Sequence, residues 1–275
     1  KKRYRYDQIN GRWVEAKGRK IFVTAPAGED EQEHLTKQTL KFFKLRNKHI
    51  DDLKWDGPVV CLTALKNFDE VLGPDAKSLG SLTEPREFNL MFKTFVGALS
   101  GEEGAAFLRP ETAQGIFVNF KNVLDSTRHR LPLGIAQIGK SFRNEITPRN
   151  FTFRSREFEQ MEIEYFIPPD EEAWPKYHRE WIDTRMAWFS GIGLTKDFLG
   201  EEVHPSEKLA HYAKACTDIT FKFPFGEHEL EGIAARGNFD LTQHQQHSGK
   251  NLEFFDETRK EKYLPHVIEP SLGVD

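Results

Sequence analysis

The stretch from Phe142 to Phe166 contains the residue types that bind a charged nucleotide, because its four arginines and five glutamates lie among aromatic side chains. Arginine presents a planar fork of donors that matches phosphate oxygens, so Arg143 is suited to a phosphate. The ring of Phe158 offers a flat face on which a nucleobase can stack. A carboxylate such as Glu162 can hold an ammonium group. The combination predicts a site for a nucleoside triphosphate beside an amine.

Further arginines follow in the segment Ile146–Glu157, where Arg149, Arg154 and Arg156 could close over a polyphosphate. The alternative is a solvent-exposed hairpin whose Arg and Glu side chains pair across the strands for roughly a few tenths of a kcal/mol each. The stretch taken alone leaves both interpretations open, and the sequences around it favour the binding site.

An antiparallel hairpin must position these side chains, and we predict its strands over Ile135–Glu145 and Phe158–Phe166. Side chains along a strand alternate between two faces. Met161, Ile163 and Tyr165 therefore share a face that we expect to pack against helices. The opposite, site-facing side is predicted to carry Gln137, Gly139, Ser141, Arg143, Glu145, Phe158, Gln160, Glu162 and Glu164.

The rest of the chain supplies elements that flank this hairpin, predicted from apolar spacing and from Gly and Pro positions. In chain order we predict a hairpin over Lys1–Thr24, a helix over Glu31–Leu53, a loop over Gly73–Glu87 leading into Phe88–Phe95, helices over Thr112–Leu124 and Asp170–Ser190, short strands over Ala210–Gly237, and a polar irregular segment over Phe239–Phe255. Trp174, Trp181 and Trp188 recur every seven residues, which predicts core packing. His244 and His247 lack the acidic or Cys partners that a metal site needs.

The predicted helix over Glu31–Leu53 carries Lys37, Lys41, Lys44 and Lys48 between its apolar positions. Lysines at such positions usually form a solvated helix face. They could also contact the phosphates of an RNA. The sequence leaves both interpretations open.

The composition is that of a globular protein that can form a core without disulfides or metals, with 275 residues and 38% hydrophobic content. Because the net charge is −4, contact with a nucleic acid must come from a local basic patch. Cys61 and Cys216 are far apart and match no zinc spacing, which favours a reducing compartment. We find no signal-peptide or membrane-spanning pattern, so we expect a cytoplasmic location.

Several separated strings resemble the class II aminoacyl-tRNA synthetases. Phe142-Arg143-Asn144-Glu145, followed by Arg156-Glu157-Phe158, resembles motif 2 of that class. The strings FLRPETAQGIFVNFKNVLDS, GIAQIGKSFRNEITPRNF and REFEQMEIEYF are similar to the dimeric type of glycyl-tRNA synthetase. HVIEPSLGVD resembles the start of motif 3. Because these strings agree in order and extend nearly from end to end, the resemblance covers almost the whole chain.

The resemblance implies an α+β fold, the class II aminoacyl-tRNA synthetase catalytic domain, in which a mainly antiparallel β-sheet is flanked by helices and contains inserted segments. Residues 1–87 would form the amino-terminal part of this domain, with a family-specific insertion that could meet the tRNA acceptor stem. Residues 88–275 would form the catalytic core, with motif 2, the start of motif 3 and an insertion around 191–265.

The resemblance also implies a glycine–tRNA ligase that uses ATP and Mg²⁺. The glycine carboxylate would attack the ATP α-phosphate in line, giving glycyl-adenylate and pyrophosphate, and the glycyl group would pass to the terminal ribose of tRNA(Gly). Positioning and charge neutralisation dominate such chemistry, so no activated Ser or Cys nucleophile is expected. The full-length protein is expected to be a homodimer that does not associate with membranes.

The site residues of the family carry over to matching positions of this sequence. Arg143, Glu145 and Arg236 would be catalytic, with Arg236 near the triphosphate and opposite Arg143. The ATP-binding set would be Arg143, Asn144, Glu145, Phe153, Arg154, Ser155, Arg156, Glu157, Phe158, Glu229, Leu230, Gly273, Val274 and Asp275, and Glu229 would also bind Mg²⁺. The glycine-binding set would be Arg5, Glu111, Phe158, Glu159, Gln160, Met161, Glu162, Glu269, Pro270, Ser271, Leu272 and Gly273. Several carboxylates around a small cavity would hold an ammonium group and exclude larger side chains.

Parts of the family pattern lie outside this sequence, namely motif 1, the motif 3 arginine and the anticodon-binding domain. We therefore expect the chain to be an excerpt that is weakly active or inactive alone, since losing a group aimed at developing charge costs on the order of a hundredfold in rate. Two other functions stay open. One is a non-catalytic synthetase-like protein that binds RNA or regulates a partner, and the other is a ligase that activates another small amino acid, such as alanine, for a different carrier.

Overall fold

The computed structural model describes residues 4–28, 30–97 and 102–275. The chain forms two compact units, Lys1–Phe88 and Asn89–Asp275. The strands are β1 (Ile9–Ala16), β2 (Arg19–Pro26), β3 (Lys54–Cys61), β4 (Val71–Leu72), β5 (Lys93–Phe95), β6 (Ala105–Phe107), β7 (Leu133–Phe142), β8 (Glu157–Ile167), β9 (Leu199–Val203), β10 (Ala215–Phe223), β11 (Gly226–Gly237), β12 (Phe254–Asp256), β13 (Glu261–Tyr263) and β14 (His266–Gly273). The α-helices are α1 (Glu31–Phe42), α2 (Ala113–Thr127), α3 (Trp174–Gly191) and α4 (Phe239–Ser248). Over the described ranges, no helix has the length and apolar character needed to cross a bilayer.

The amino-terminal unit is built on a four-stranded sheet with the order β3-β1-β2-β4. The predicted hairpin is present as β1 and β2, and it continues to Pro26, past its predicted end at Thr24. Its turn residues Lys17 and Gly18 have φ values of 51° and 71°, as a tight type I′ turn requires. Residues 1–3 of the predicted hairpin lie outside the described residues.

The basic helix of this unit is shorter than predicted. Helix α1 ends at Phe42, and the backbone of Lys44 is left-handed with a φ of 52°. The Leu45 amide then donates to the carbonyl of Leu40, which closes the last turn of the helix. A separate 3-10 helix follows over Asn47–Asp52, so the prediction of one helix to Leu53 is wrong.

The carboxy-terminal unit contains a six-stranded antiparallel sheet with the order β7-β8-β14-β11-β10-β9. Helices α2 and α4 cover one face, where Phe117 and Phe120 of α2 and Leu241 of α4 pack with Phe166 and Val267 of the sheet. Helix α3 covers the other face and buries Ile182 and Phe189 against the apolar residues Ile167, Ile219, Ile233 and Ile268. An antiparallel sheet flanked by helices confirms the predicted α+β class.

Helix α3 bears out only part of the prediction for its tryptophans. Trp174 and Trp181 pack against the buried cluster beneath the helix. Trp188 is 42% exposed, and the Arg185 guanidinium lies 4.2 Å from its ring centre. Just before the helix, the Asp170 carboxylate accepts the amides of Glu172 at 2.9 Å and Ala173 at 3.2 Å, which orders the chain where it enters α3.

The segment around 191–265, predicted as an insertion, contributes to the main sheet. Strands β10 and β11 lie between β14 and β9, and α4 packs on the same sheet through Leu241. The prediction that Phe239–Phe255 is irregular is therefore wrong, since Phe239–Ser248 forms α4. Sequence periodicity missed this helix because its buried side includes the polar residue Asp240 as well as Leu241.

Candidate active site

The β7–β8 hairpin brings the predicted binding residues to the face of the sheet that α2 and α4 cover. The cross-strand partners are Gln137 with Glu162, Gly139 with Gln160, and Ser141 with Phe158. Met161 and Tyr165 point to the opposite face and pack in the cluster beneath α3. Strand alternation therefore separates a polar, site-facing set from a packing set, as the sequence predicted.

Arg143 lies directly after β7 and has an available guanidinium group. Strand β7 ends at Phe142, three residues before its predicted end, although the Arg143 amide still donates to the Arg156 carbonyl at 3.0 Å. Arg143 Nε donates to the Pro110 carbonyl at 3.1 Å, and its guanidinium carbon lies 5.2 Å from the centre of the Phe158 ring. Within the described ranges Arg143 forms no salt bridge, so its remaining N–H groups can donate to a phosphate.

The loop between β7 and β8 is held near Glu145. The Arg154 guanidinium lies 3.9 Å from the Glu145 carboxylate, and Arg156 Nε donates to the Glu145 carbonyl at 3.1 Å. The ring of Phe153 packs against Phe223 at the end of β10, with 5.1 Å between ring centres. Phe153 thus anchors the loop to the sheet, while Arg154 and Arg156 stay exposed to solvent.

Other residues of the predicted ATP set make contacts within the hairpin and the segment preceding it. The Asn144 side-chain amide donates to the Asn89 carbonyl at 3.0 Å, and the Ser155 hydroxyl donates to the Glu157 carbonyl at 2.8 Å. The Glu157 carboxylate lies 3.3 Å from Lys140 Nζ. These contacts order the loop, and a direct role of these residues in binding stays a prediction.

Glu162 is a buried carboxylate surrounded by hydrogen-bond donors. It is 2% exposed and accepts the Thr112 amide at 2.7 Å and also the Thr112 hydroxyl. Gln160 Nε2 donates to its other oxygen at 2.7 Å, and the Ser271 hydroxyl donates to that oxygen at 3.0 Å. Because Thr112 immediately precedes α2, the start of this helix and two strands together fix the carboxylate.

Arg236 is the buried cation of this cluster, with a side chain that is 2% exposed. Its guanidinium donates to both oxygens of Asp240, at 2.9 and 3.0 Å, and also to Glu269. Glu111 lies 3.7 Å away, and the Tyr212 ring centre lies 4.2 Å from the guanidinium carbon. Burial alone would lower the pKa of Arg236, but the Glu269 and Asp240 carboxylates raise it above its ordinary value.

The sequence predicted Arg236 near a triphosphate, and that role stays a prediction. Within the described ranges its ion pairs are with carboxylates, and Glu111 and Glu269 belong to the predicted glycine-binding set. Asp240 was missed because its segment was predicted to be irregular. Gly237, with a φ of 63°, turns the chain from β11 towards α4 and so brings Asp240 back to Arg236.

Strand alternation divides the other predicted glycine-binding and ATP-binding residues between two faces. Glu269 and Ser271 point to the α2 face, where Ser271 meets Glu162 and Glu269 meets Arg236. The residues that face α3 instead are Met161, Leu230, Pro270 and Leu272. Any contact of these four with ATP or glycine would therefore have to come from the backbone.

The predicted binding residues at the end of the chain extend β14 along β8. Gly273 pairs with Gln160 in the sheet. The Val274 amide donates to the Glu159 carbonyl at 2.9 Å, and the Glu159 amide donates to the Asp275 carboxylate at 2.9 Å. These contacts hold the residues in order beside Gln160, and their binding roles stay predictions.

Glu229 lies where a divalent cation could bind. Much of the residue is open to solvent, but its carboxyl group is partly buried. This burial raises the pKa of Glu229, and the nearby Asp218 charge raises it further, whereas the charges of Arg143 and Arg154 lower it. Two adjacent carboxylates with this excess of negative charge fit Mg²⁺, which prefers oxygen ligands. Asp218 was not among the predicted residues, although Asp218 and Cys216 are two apart on β10 and so share a face.

His204 and Cys216 complete a cluster with Asp218 in which one ligand atom from each residue lies within 4.8 Å of the others. His204 Nε2 is 2.7 Å from the Asp218 carboxylate. Burial, with the charges of Asp218 and Glu229, raises the pKa of the Cys216 thiol to about 12. The thiol is therefore protonated at neutral pH, and the cluster is a hydrogen-bonded imidazole, thiol and carboxylate.

Gln114 is a further residue that the sequence analysis did not single out. Its amide donates to Glu111 at 3.0 Å and to Asp240 at 3.1 Å, and its carbonyl oxygen lies 2.8 Å from His244 Nε2. Gln114 therefore ties α2 to α4 directly beside Arg236. The available signal was its position in the string RPETAQ, three residues after Glu111 and in the first turn of α2.

Arg5, the remaining residue of the predicted glycine set, belongs to the amino-terminal unit. Its guanidinium lies 2.6 Å from the Asp7 carboxylate. Its role in glycine binding stays a prediction.

Comparison with known proteins fits this geometry. The family model for the tRNA synthetase class II core domain (G, H, P, S and T) matches residues 98–275. The chain belongs to this family. The chain is 54% identical over 303 aligned residues to a glycine–tRNA ligase of Rhodopirellula baltica, an alignment that covers 100% of the chain and 56% of the relative.

Two further relatives match a smaller part of the chain. A glycine–tRNA ligase of Thermus thermophilus is 53% identical over 220 residues, which is 74% of this chain and 43% of the relative. One of Mycolicibacterium vanbaalenii is 53% identical over 208 residues, which is 74% of the chain and 44% of the relative. The chain thus spans about half the length of the curated relatives it matches.

Proposed function

We propose that this synthetase core belongs to a glycine–tRNA ligase that activates glycine with ATP and Mg²⁺ and transfers it to tRNA(Gly). The observation that carries the proposal is the arrangement on one sheet face. It combines Arg143, which forms no salt bridge in the described part of the chain and lies above Phe158, with the buried carboxylates of Glu162 and Glu269. The names of the similar proteins support the choice of glycine and tRNA.

Nucleotide activation follows from the residues at the open end of this face. Phe158 would stack on adenine, Arg143 would donate to the α-phosphate, and Arg154 and Arg156 would meet the outer phosphates. Glu229 and Asp218 would hold Mg²⁺, which would neutralise phosphate charge. As a glycine carboxylate oxygen bonds to the α-phosphorus, the bond to pyrophosphate breaks, and Arg143 stabilises the charge that develops on the α-phosphate oxygens.

Glycine recognition follows from the carboxylates at the buried end. The glycine ammonium would lie against Glu111 and Glu269, with Glu162 and Ser271 completing the wall. Buried donors and acceptors that already satisfy one another leave no apolar space for a side chain, so larger amino acids would be excluded sterically. The terminal ribose hydroxyl of tRNA would then attack the glycyl carbonyl carbon, forming an ester and releasing AMP.

ATP–pyrophosphate exchange by the full-length protein tests the proposal. We expect exchange that depends on glycine, is slower with alanine, and falls by on the order of a hundredfold in kcat for Arg143→Ala. Exchange that is faster with alanine would instead favour a ligase for another small amino acid. Binding of tRNA without any exchange would favour a non-catalytic relative.

The assembly and location of the full-length protein form part of the same proposal. We expect a homodimer in the cytoplasm, as the resemblance to the dimeric synthetases implies. Sedimentation of the full-length protein at micromolar concentration tests the dimer, and a monomer that still activates glycine would contradict it.

A further inference from the structure

Glu164 is a fully buried acid that the proposed mechanism does not use. Its exposed fraction is 0%, and neither carboxyl oxygen accepts a hydrogen bond from any donor in the described part of the protein. It lies on β8 two residues after Glu162 and so points to the same face. A buried carboxylate without donors is costly, because it loses the solvation of its charge and gains nothing in return.

The neighbour of Glu164 across the sheet is Glu269. The pairs Ile268 with Tyr165 and Ser271 with Glu162 fix the register of β14 on β8, and this register places Glu269 opposite Glu164. Directly opposed side chains in an antiparallel pair have Cβ atoms about 5 Å apart. The two carboxyl groups therefore face each other, and each shifts the pKa of the other. A hydrogen bond between two carboxyl groups requires a proton on one of them.

The charges that face this pair show where the proton belongs. The surrounding charged groups are Glu162 on β8, Arg236 on β11, Asp240 on α4 and Glu111 just before α2. Four carboxyl groups, those of Glu269, Asp240, Glu111 and Glu164, thus surround one guanidinium, and Glu162 lies beside the Glu164–Glu269 pair. Glu162 accepts hydrogen bonds from four donors, and Glu269 accepts one from Arg236. Glu164 accepts none in the described part of the protein.

Glu164 is therefore the group that becomes neutral at the lowest cost. Burial, followed by the charge of Glu269, raises the pKa of Glu164 well above its ordinary value. A protonated Glu164 can donate its O–H to Glu269, which satisfies both groups at once. The arrangement also removes one of the negative charges that crowd Arg236.

We propose that Glu164 is a neutral carboxylic acid that donates a hydrogen bond to the Glu269 carboxylate and thereby positions Glu269 for the glycine ammonium. The second half of this inference rests on the proposed function. The first half concerns only protonation and geometry, so the two can be tested separately. Glu164 acts through Glu269, and it is a positioning residue that does not itself touch the substrate.

Infrared difference spectroscopy of the full-length protein tests the protonation. We expect wild type at neutral pH to show the carbonyl band of a protonated carboxylic acid, shifted in deuterium oxide and absent from Glu164→Gln. Glu231→Gln is the matched control. Glu231 is also a buried glutamate of this sheet, but it faces α3 and pairs with Arg185 at 2.7 Å, so its variant should retain the band.

The KM for glycine tests the positioning role. Glutamine keeps a neutral donor at position 164, so Glu164→Gln should change the glycine KM by no more than about threefold, whereas Glu164→Leu should raise it about tenfold or more. The KM for ATP should stay the same in both variants, and Glu231→Gln should leave the glycine KM at the wild-type value. If the leucine variant does not fold, the glutamine variant and the infrared band still decide.

Two results would overturn the inference. A wild-type spectrum without the acid band, or a band that persists in Glu164→Gln, would show that Glu164 is ionised or that another group carries the proton. Equal glycine KM values for the folded leucine and glutamine variants would reduce Glu164 to a space-filling residue. Failure of the proposed function has a different signature, because wild type would then show the band and no glycine-dependent exchange.

Discussion

Removing the Arg236 side chain should lower the stability of this protein more than any other single change. Arg236→Met is the substitution that tests this. Methionine keeps an unbranched chain of similar length and can still pack against Tyr212, while it removes the charge and all donors. The change leaves Asp240, Glu269 and Glu111 as neighbouring carboxylates without their shared cation.

The expected loss is set by the burial of this network. Breaking a buried ion pair by removing one partner costs about 3–5 kcal/mol, whereas an exposed pair contributes at most about 1 kcal/mol. Arg179→Met is the matched control, because Arg179 also contacts two carboxylates, Asp183 and Glu201, but its side chain is 47% exposed. We therefore expect a loss several times larger for Arg236→Met than for Arg179→Met.

The loss should also depend on pH. Arg236 lowers the pKa of Glu269 and Glu164, although burial keeps both pKa values above the ordinary glutamate value. Removing Arg236 raises them further. A carboxyl group with a higher pKa in the folded state than in the unfolded state loses stability as pH rises from the unfolded towards the folded value. The deficit of Arg236→Met should therefore be larger at about pH 8 than at about pH 5.

Native-state hydrogen exchange of the β11 and β14 amides measures this loss where it occurs, independently of the other unit of the chain. The double variant Arg236→Met/Asp240→Asn adds a further check, since neutralising Asp240 should recover part of the lost stability. The reasoning would be refuted if Arg236→Met lost no more than Arg179→Met, or if its deficit did not change with pH.

Two other predictions concern binding. Phe158→Ala should raise the KM for ATP about tenfold, because stacking of a base on an aromatic ring contributes about 1–3 kcal/mol, and it should alter the glycine KM much less; equal effects on both would contradict the stacking role. Charge reversal at the exposed residues Lys41 and Lys44 should weaken tRNA binding and flatten its salt dependence if this face meets RNA, and unchanged binding would identify a solvated face.

The face of the hairpin that forms the site could be predicted because strand alternation depends only on parity. Once β8 was placed, Phe158 and Glu162 had to share a face, and the structure places them so. The end of helix α1 was predicted wrongly because the left-handed residue that follows it is Lys44, and no glycine marks that position in the sequence. No sequence pattern distinguishes such a lysine from one within a helix.

The buried ion network was missed for a different reason. Asp240 places a polar side chain on the buried side of α4, so this helix lacks the apolar stripe by which a helix is recognised. Its partner Gln114 is also polar and lies on α2. The role of Glu164 was equally hidden, because its parity put it on the site face but only the register with β14 places it opposite Glu269. Long-range pairing of this kind follows from the fold and has no local signature.

The glycine pocket and the stability of the sheet depend on the same charges. Glu111 and Glu269 would bind the substrate ammonium, and both already share Arg236 with Asp240. A variant that makes room for a larger amino acid by removing one of these carboxylates also removes a partner of a buried arginine. A pocket walled by apolar residues could be enlarged at the cost of packing alone. Here a wider pocket would leave a buried charge without its partner, so selection for folding also selects against loss of glycine specificity.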